Sequence, residues 1–303
     1  MLNFLNQKGY CQGVIFLLLM MVTSCANDVI AKHIGQRLDP VEVIFFRFFF
    51  GFVTLLPFAL SRGTSVFKTQ QLTTNIMRGV LGTVSFYLYN SALVHLQIVE
   101  VVTILWTIPL FVLILSMIFL NESVSLARWC ATGIGFIGLA FVTMYDSGVS
   151  FSFKLVYLIP AASAFLFAVQ DIMIKKMVDT DSKITMLLYF SLVTTALTIV
   201  PAALVWENPT PFELSMLLLY GAFANLMQYF IFRAFAATDL SALAPYRYLE
   251  FLFSALAGFL FFAELPGLNV IIGAIILIPC TLYLGYSENK KSKRKKEVNL
   301  QAA

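Results

Sequence analysis

Residues 98–120 read IVEVVTILWTIPLFVLILSMIFL and are followed at once by the polar turn Asn121-Glu122-Ser123. A helix needs about 20 mostly apolar residues to cross the hydrocarbon core of a bilayer. An apolar run of this length that ends in a short polar turn therefore predicts one membrane-spanning helix. The same unit recurs along the chain and predicts about ten spans, near residues 11–33, 41–61, 72–94, 98–120, 126–145, 154–176, 184–205, 213–236, 241–263 and 268–288.

The composition indicates that lipid is the solvent for most of the chain. Of its 303 residues, 60% are hydrophobic and 12% are charged, whereas about a quarter of the residues of soluble domains are charged. The connections between the predicted spans are short, and none is long enough to form a soluble catalytic domain. The sequence therefore predicts an all-α membrane protein and argues against a conventional enzyme.

Lysine and arginine are distributed unevenly on the two sides of the predicted spans. Cytoplasmic loops carry an excess of these residues, which predicts that both termini are cytoplasmic. Residues 289–303 form a basic tail that is expected to lie near anionic lipid, and nucleic-acid binding is disfavoured. The residues on the predicted cytoplasmic side are Lys8, Arg62, Lys68, Arg128, Lys175, Lys176, Lys183 and the tail lysines and arginine, against Lys32, Arg37 and Lys154 outside.

Cysteine and histidine show no metal-ligand spacing. The four cysteines are isolated in apolar stretches, and the two histidines are far apart in the sequence. We therefore predict no disulfide, no metal site and no cofactor. The residues concerned are Cys11, Cys25, Cys130, Cys280, His33 and His95.

A weak internal repeat emerges when the sequence is shifted by about 142–143 residues. The stretch Ala26–Lys32 then falls on Val169–Lys175, and Gly79 falls on Gly221. Further matches in the same register are Tyr87 with Tyr229, Ala92 with Ala234, Glu122 with Glu264, and Leu126 with Leu268.

The repeat divides the chain into a first unit at 1–148, a second unit at 149–288 and the tail at 289–303. Each unit has five predicted spans, and because five is odd the two units are predicted to insert with opposite orientation. Inverted repeats of this kind occur in transporters and place the binding site near the midplane between the halves.

Charged side chains inside the predicted spans are candidates for function, because each costs at least ~2.5–3.5 kcal/mol at a helix centre. Asp28 and its repeat mate Asp171 are predicted to act in gating or coupling, and Asp28 also in substrate binding. A structural ion pair is the alternative, especially for Asp171, which precedes Lys175 and Lys176. Arg47 lies among aromatic residues and is predicted to bind a substrate carboxylate, to pair with Asp28 or to snorkel to the surface.

The segment Ala244-Pro245-Tyr246-Arg247-Tyr248-Leu249-Glu250 is the strongest indication of a site. A proline interrupts the helix and frees backbone carbonyls, which membrane proteins tolerate where a cavity can use them. Arg247 and Glu250 are three residues apart and are expected to neutralise each other in part. Tyr246 and Tyr248 add aromatic surface that ends in a hydrogen-bonding group. We predict that this segment lines a cavity; a purely structural ion pair is the alternative.

The first half supplies Trp106, which aligns with Tyr248 and is predicted to form a stacking platform, with a place at the lipid interface as the alternative. Arg78 and Arg233 are expected to snorkel, and residues 133–138, which contain three glycines, to form a helix-packing surface. Further polar lining residues are predicted in the third and eighth spans: Tyr87, Asn90, Gln228 and Tyr229.

Ten spans, a five-plus-five duplication and the turn Asn121-Glu122-Ser123 resemble the EamA-type drug/metabolite transporters. Within that superfamily the chain is similar to the S-adenosylmethionine carriers of intracellular bacteria, in the stretches Ser24–Val29, Glu42–Phe50, Ala244–Glu250 and Tyr286–Glu288. The resemblance implies a multi-pass protein of the bacterial inner membrane that takes up S-adenosylmethionine. It also suggests S-adenosylhomocysteine as the exchanged product.

The chemistry of that substrate suggests roles for the candidate residues. S-adenosylmethionine carries a sulfonium, an ammonium, a carboxylate and an adenine ring. Asp28 or Glu250 with aromatic faces would hold the sulfonium, Arg47 or Arg247 would bind the carboxylate, and Trp106 or Tyr248 would stack on the adenine.

Three other functions stay open. The same scaffold suits an exporter of amino acids or a carrier of another small metabolite, because a fold does not determine a substrate. A channel would need a filter-like segment, and a membrane-embedded enzyme would need a nucleophile, acid–base or metal constellation; the sequence indicates neither.

Overall fold

The structure, a computed structural model, describes residues 9–35, 37–145, 155–263, 265 and 267–301. All regular elements within these ranges are helices. Lys8, Lys154 and Glu264, which entered the charge and repeat arguments, lie outside the described residues. So does the predicted boundary between the two repeat units.

The first half contains five spans, and the fourth is broken into two helices. α2 begins with Pro40 at its first position, where a proline costs no hydrogen bond, and the Asp39 carboxylate accepts the Val41 N–H at 2.8 Å. A 3₁₀ turn at Gly63–Phe67 connects α2 to α3. The helices are α1 Tyr10–Ile34, α2 Pro40–Ser61, α3 Leu72–His95, α4 Ile98–Leu105, α5 Ile108–Leu120 and α6 Leu126–Tyr145.

The second half repeats this plan, and its fourth span is broken as well. There a 3₁₀ segment at Ala244–Leu249 separates two α-helices, and another 3₁₀ turn at Leu155–Tyr157 precedes the first span of this half. The helices are α7 Leu158–Met177, α8 Lys183–Leu204, α9 Pro211–Ala237, α10 Leu240–Leu243, α11 Glu250–Phe262 and α12 Leu268–Gln301.

Eight helical segments in the described ranges are long and apolar enough to cross a membrane. The other two spans are α3, which has 24 residues but carries the buried polar residues Asn75 and Arg78, and the interrupted α10–α11 span. Both pack against long spans of the opposite half. The predicted all-helical protein with ten spans in two repeats is confirmed.

Helices of one half pack mainly on helices of the other, in a pattern that persists when the halves are exchanged. α1 packs along α9 as α7 packs along α3; α2 packs on α9 as α8 packs on α3; and α5 packs on α7 as α11 packs on α1. The pairs α2–α8 and α6–α12 join equivalent helices. Two halves related by a two-fold axis require this pattern, and with five spans each the axis lies in the membrane plane.

Individual residues carry the same symmetry. Asn121 and Ala263 both adopt the left-handed conformation, with φ of 53°, and both follow the second helix of a broken span. Gly79 and Gly221 both mark close helix approaches: a Cβ atom would lie 2.6 Å from an α8 side chain at the first and 2.5 Å from the Gly51 nitrogen at the second.

The predicted orientation can be tested by cysteine labelling. Lys68 is exposed in the α2–α3 connection and Asn208 in the α8–α9 connection, at opposite ends of the bundle. In a variant whose four cysteines are replaced by serine, a membrane-impermeant maleimide added to spheroplasts is expected to label Asn208→Cys. It should label Lys68→Cys only after permeabilisation; the reverse pattern would show that the termini are outside.

Candidate functional site

A cavity of about 160 Å³, here called the central chamber, lies between the two halves. Residues of α2, α3, α7, α8, α9 and the 3₁₀ segment of the ninth span line it. Much of the wall is aromatic, and three amide side chains interrupt it. The aromatic residues are Phe48, Phe86, Phe167 and Phe190, and the amides are Gln170, Asn225 and Gln228.

Three charged residues also line the central chamber: Arg47, Asp171 and Arg247. Asp171 is only 7% exposed, and its Oδ2 accepts a hydrogen bond from Nη1 of Arg247, which completes an ion pair. A buried carboxylate is tolerated when a partner of opposite charge bonds to it. The pair joins the two predicted site segments of the second half.

The partners of these charges differ from those expected from sequence spacing. Lys175 does not neutralise Asp171 but donates to the carbonyls of Phe235 and Thr238, at 2.5 and 2.7 Å. Glu250 acts on the charge of Arg247, as the expected partial neutralisation requires, but the direct ion-pair partner of the guanidinium is Asp171 on α7.

A second cavity of about 150 Å³, the side chamber, lies against the broken spans. Arg247 lines both chambers, so the Arg247–Asp171 ion pair stands at their common wall. The other lining residues of the side chamber are Val102, Leu105, Trp106, Ile108, Pro109 and Glu250.

The broken helices explain why polar groups reach the side chamber. α4 ends before Trp106, and Pro109 lies at the start of α5, where its missing N–H costs nothing. The Tyr248 hydroxyl donates to the Trp106 carbonyl at 3.2 Å. The break in one half is therefore stabilised by a side chain from the break in the other half.

An acidic pair lies beside the side chamber. Glu250 is half-buried, and its Oε1 accepts a hydrogen bond from Ser24 Oγ at 2.7 Å. Asp28 lies one turn after Ser24 along α1, and the charges of both Glu250 and Arg47 act on its carboxylate. The two carboxylates make this part of the interior attractive to a cation.

Arg47 is half-buried among aromatic rings. Its Nη1 donates to the Tyr220 hydroxyl at 3.3 Å, and its guanidinium carbon lies 5.2 Å from the centre of that ring. No direct ion pair between Arg47 and Asp28 is found among the described residues. Arg47 lines the central chamber, and its predicted role in binding a substrate carboxylate stays a prediction.

The Tyr248 ring is buried in the protein, where a substrate ring cannot stack on it. It is 0% exposed, and its ring packs so closely on α6 that a Cβ at Gly135 would lie 2.5 Å away. Its ring centroid is 6.3 Å from that of Trp106. The predicted stacking of Tyr248 on a substrate is incompatible with this burial, whereas Trp106 does line the side chamber.

Tyr246 lies between α1 and α12 and lines neither of the two chambers. Its hydroxyl is 2.7 Å from that of Tyr10 and donates to the Thr281 carbonyl at 2.9 Å. Tyr246 lines a separate cavity of about 520 Å³ between α1 and α12, and its predicted role in substrate binding stays a prediction.

The other two predicted tyrosines also lie apart from the chambers. Tyr229 accepts a hydrogen bond from Arg233 at 3.2 Å, and Tyr87 lines a narrow apolar crevice with Val41 and Phe86. Neither side chain lines the central chamber or the side chamber, and their predicted role in substrate binding stays a prediction.

Arg78 does not snorkel, contrary to prediction. It is 1% exposed, donates to the Met186 carbonyl at 3.0 Å and lies 4.4 Å from the centre of the Phe190 ring. The glycine surface, in contrast, packs as predicted, since Gly135 faces Tyr248 and Gly138 faces a side chain of α12.

Comparison with known proteins shows which family the chain belongs to. The model of the EamA-like transporter family matches residues 12–144 and 154–285. The chain belongs to that family. The family and the named relatives are transporters, which confirms the expectation that the protein is not an enzyme.

Individual relatives of this EamA-family chain differ in substrate. The S-adenosylmethionine uptake transporter of Rickettsia felis is 40% identical over 96% of this chain and 98% of its own length. The riboflavin transporter of Vibrio cholerae is 28% identical over 95% and 97%. A crystal structure that is 17% identical superposes with a TM-score of 0.80 over 93% of this chain and 99% of its own, which supports the fold.

Sequence spacing did not identify an ionic network at one end of this EamA-family bundle. Arg128 is buried and donates from Nη2 to Glu288 at 2.8 Å and to Asp239 at 3.2 Å, and from Nη1 to Ser241 Oγ at 2.8 Å. Glu122 accepts the N–H groups of Leu240 and Ser241, at 2.8 and 2.9 Å, and so caps α10. We call Glu122, Arg128, Asp239, Ser241 and Glu288 the end network.

Several residues of the end network were noted in the sequence, but these observations were not enough to predict the network. The turn at Asn121–Ser123 and the residue Glu288 entered only as features of the resemblance, and Arg128 only as a positive charge. The Asp239 that precedes α10 is a typical helix-start residue. None of these patterns indicates that the four elements meet.

The opposite end of the bundle is tied by an exposed arginine. Nε of Arg37 donates to Glu213 Oε1 at 2.6 Å, and Nη2 donates to the Asn208 carbonyl at 3.1 Å. The hydrogen bond to Glu213 raises the pKa of Arg37. Both ends of the bundle therefore carry an ionic contact between the halves.

Proposed function

We propose that the protein takes up S-adenosylmethionine across the bacterial inner membrane by alternating access, in exchange for S-adenosylhomocysteine. The observation that carries the proposal is the Arg247–Asp171 ion pair at the common wall of the two chambers. The 40% identity to an S-adenosylmethionine uptake transporter supports the substrate.

The charges around the chambers complement those of the substrate. S-adenosylmethionine carries two positive groups and one negative group. The site offers two guanidinium groups and three carboxylates, so it is negative by one when all are ionised. These groups are Arg47, Arg247, Asp28, Asp171 and Glu250.

The methionine end of the substrate can replace the ion pair. Its carboxylate suits the fork of Arg247, which binds carboxylates in a bidentate geometry, and its ammonium would then neutralise Asp171. The sulfonium would lie near Glu250 and the Trp106 ring, since cations bind favourably over aromatic faces. Each buried charge would exchange one partner for another and would not be left unpaired.

The volumes of the two chambers indicate that substrate binding requires the Arg247–Asp171 ion pair to open. Pockets that enclose drug-sized ligands have volumes of about 300–1,000 Å³, whereas these chambers measure about 160 and 150 Å³. Neither alone encloses the whole substrate. Binding therefore requires Arg247 and Asp171 to part, so that the chambers become one.

The membrane potential would drive net uptake. Moving one positive charge inward gains about 2.3 kcal/mol per 100 mV. Exchange for S-adenosylhomocysteine, which lacks the sulfonium charge, would retain this gain while it removes the product of methylation.

A neutral substrate such as riboflavin fits less well. Desolvating charged side chains is costly, and a neutral flavin that separated Arg247 from Asp171 would offer neither side chain a replacement charge. A simple amino acid would satisfy the ion pair but would leave the aromatic central chamber unfilled.

The proposal predicts counterflow in proteoliposomes that contain the purified protein. Vesicles loaded with S-adenosylhomocysteine should accumulate labelled S-adenosylmethionine, and empty vesicles should accumulate much less. Asp28→Asn, Arg47→Ala and Glu250→Gln should each reduce the rate about tenfold or more, because each removes a charge-assisted contact. Lys68→Gln, at an exposed position, should not.

Each part of the proposal has its own contradicting result. Uptake that does not depend on internal S-adenosylhomocysteine would refute the exchange. Normal rates in all three charge variants would refute the site, and amino-acid efflux without S-adenosylmethionine transport would refute the substrate.

A further inference from the structure

We infer that the central chamber is a subsite for a 6-aminopurine ring, and that Gln228 and Arg47 recognise its hydrogen-bonding edge. This inference rests on the proposed function, because it assigns one part of the proposed substrate to one cavity. It also differs from the sequence-based expectation, which placed the adenine on Trp106 or Tyr248.

The first observation is a pair of unpartnered polar atoms. Oε1 of Gln228 and Nε of Arg47 are buried, and neither has a hydrogen-bond partner among the described residues. Both residues line the central chamber. Buried polar groups are nearly always hydrogen-bonded, so one acceptor and one donor on the same cavity wall indicate a ligand that offers the opposite groups.

The other two amides of the chamber are engaged with the protein. Nε2 of Gln170 donates to Ser85 Oγ at 3.3 Å, and Nδ2 of Asn225 donates to the Gly51 carbonyl at 2.6 Å. They hold neighbouring helices together. Of the three amides, Gln228 alone combines a place on the wall with a buried acceptor that no described residue satisfies.

The second observation is the aromatic wall. Phe86 meets Phe48 at 64° and Phe167 at 82°, with centroids 5.8 and 5.4 Å apart. Rings that meet edge to face leave one face of a ring available for stacking, and nucleobases stack favourably on aromatic side chains. The volume of about 160 Å³ suits one flat ring system and not a whole nucleoside conjugate.

A 6-aminopurine has the complementary edge. Its exocyclic amino group donates and would bond to Gln228 Oε1, and a ring nitrogen accepts and would bond to Arg47 Nε. A 6-oxopurine carries an acceptor at the same position, so the Gln228 oxygen would face another acceptor. The chamber is therefore expected to select the amino form.

The arrangement also assigns the two ends of the ligand. The base lies in the central chamber, the ion pair lies at the junction, and the side chamber takes the methionine end. Arg47 then contacts the base and Arg247 the carboxylate, which removes the ambiguity between the two arginines.

The test compares uptake inhibition by unlabelled S-adenosylmethionine and by its deaminated 6-oxo analogue in proteoliposomes. The wild type should prefer the amino form by about tenfold or more. Gln228→Met, which keeps the length of the side chain and removes the acceptor, should abolish the preference. Leu226→Met, at an exposed position of the same helix that does not line the chamber, is the matched control and should keep it.

The subsite can also be tested with a second variant and with a binding measurement that does not require transport. Gln228→Glu retains an acceptor oxygen and should retain the preference. Adenosine and inosine can also be compared by the thermal protection that each gives to the detergent-purified protein. This measurement reports on the subsite even if the protein does not transport S-adenosylmethionine. A failure of transport would contradict the proposed function and not the subsite. Equal protection by the two nucleosides in the wild type, or a preference unchanged in Gln228→Met, would overturn the subsite.

Discussion

Arg247→Met is expected to reduce S-adenosylmethionine uptake at least a hundredfold and to lower the thermal stability of the protein. The substitution removes the group that is proposed to bind the substrate carboxylate and also leaves Asp171 buried without its partner. Breaking a buried ion pair by removing one partner costs about 3–5 kcal/mol. Uptake and the unfolding temperature in detergent measure the two effects separately.

The double variant Asp171→Leu with Arg247→Met separates the two roles. Replacing both members of a buried pair by apolar residues is often neutral or stabilising, so the unfolding temperature should return to that of the wild type. Transport should stay absent, because no guanidinium stands at the common wall of the chambers. Wild-type uptake by the double variant would show that the pair is only structural.

Arg128→Met is expected to reduce uptake about tenfold or more by opening one end of the bundle. Arg128 connects α6 to Asp239, Ser241 and Glu288, and Glu288 is itself buried. Without the guanidinium, the contacts that close this end lose their common donor. Access from this side should therefore increase even when no substrate is bound.

Cys280 offers a natural reporter for that opening. It lies on α12 and is half-buried, with its Sγ 3.6 Å from the Ala131 carbonyl. In Arg128→Met its reaction with a maleimide should be about tenfold faster, while Lys68→Met at the same end should leave the rate unchanged. An unchanged labelling rate together with reduced uptake would show that the network does not act as a gate.

The spans could be predicted because lipid imposes the pattern. Every backbone polar group in the hydrocarbon region must be satisfied within a helix, so an apolar run such as 98–120 has few other structures available. The predicted bounds of the first nine spans agree with the helices to within a few residues, whereas α12 continues past the predicted bound at residue 288 to Gln301. The interruption at Pro245 was predicted, but residues 98–120 were predicted as one helix and are broken between α4 and α5. The repeat followed from spacing alone.

Partners across the bundle could not be predicted in the same way. Asp171 and Arg247 lie on different helices of the second half, and no sequence spacing sets the register between them. The i,i+3 spacing of Arg247 and Glu250 predicted a partial neutralisation, but it could not reveal that Asp171 is the direct ion-pair partner of Arg247. Which charge meets which depends on helix packing, and packing depends on residues far from the site.

Burial of aromatic residues was unpredictable for the same reason. Tyr248 reads as a cavity residue in its own segment, yet the space that encloses its ring exists because Gly135 on α6 has no side chain. Arg78 reads as a snorkelling residue near a helix end, but the Phe190 ring and the Met186 carbonyl hold it inside. Cation–π contacts of this kind are not visible in hydropathy.

The exchange symmetry of the helix packing has an evolutionary consequence. In a two-fold homodimer both partners contribute the same surface to the interface. The two halves of this chain are related in that way, so the chain corresponds to an antiparallel dimer of half-length proteins fused into one polypeptide. In the repeat register Arg247 and Glu250 correspond to Leu105 and Ile108, and all four line the side chamber. A symmetric ancestor would have presented identical walls. In a fused chain the two walls can differ, and here one wall is ionic while the other is apolar.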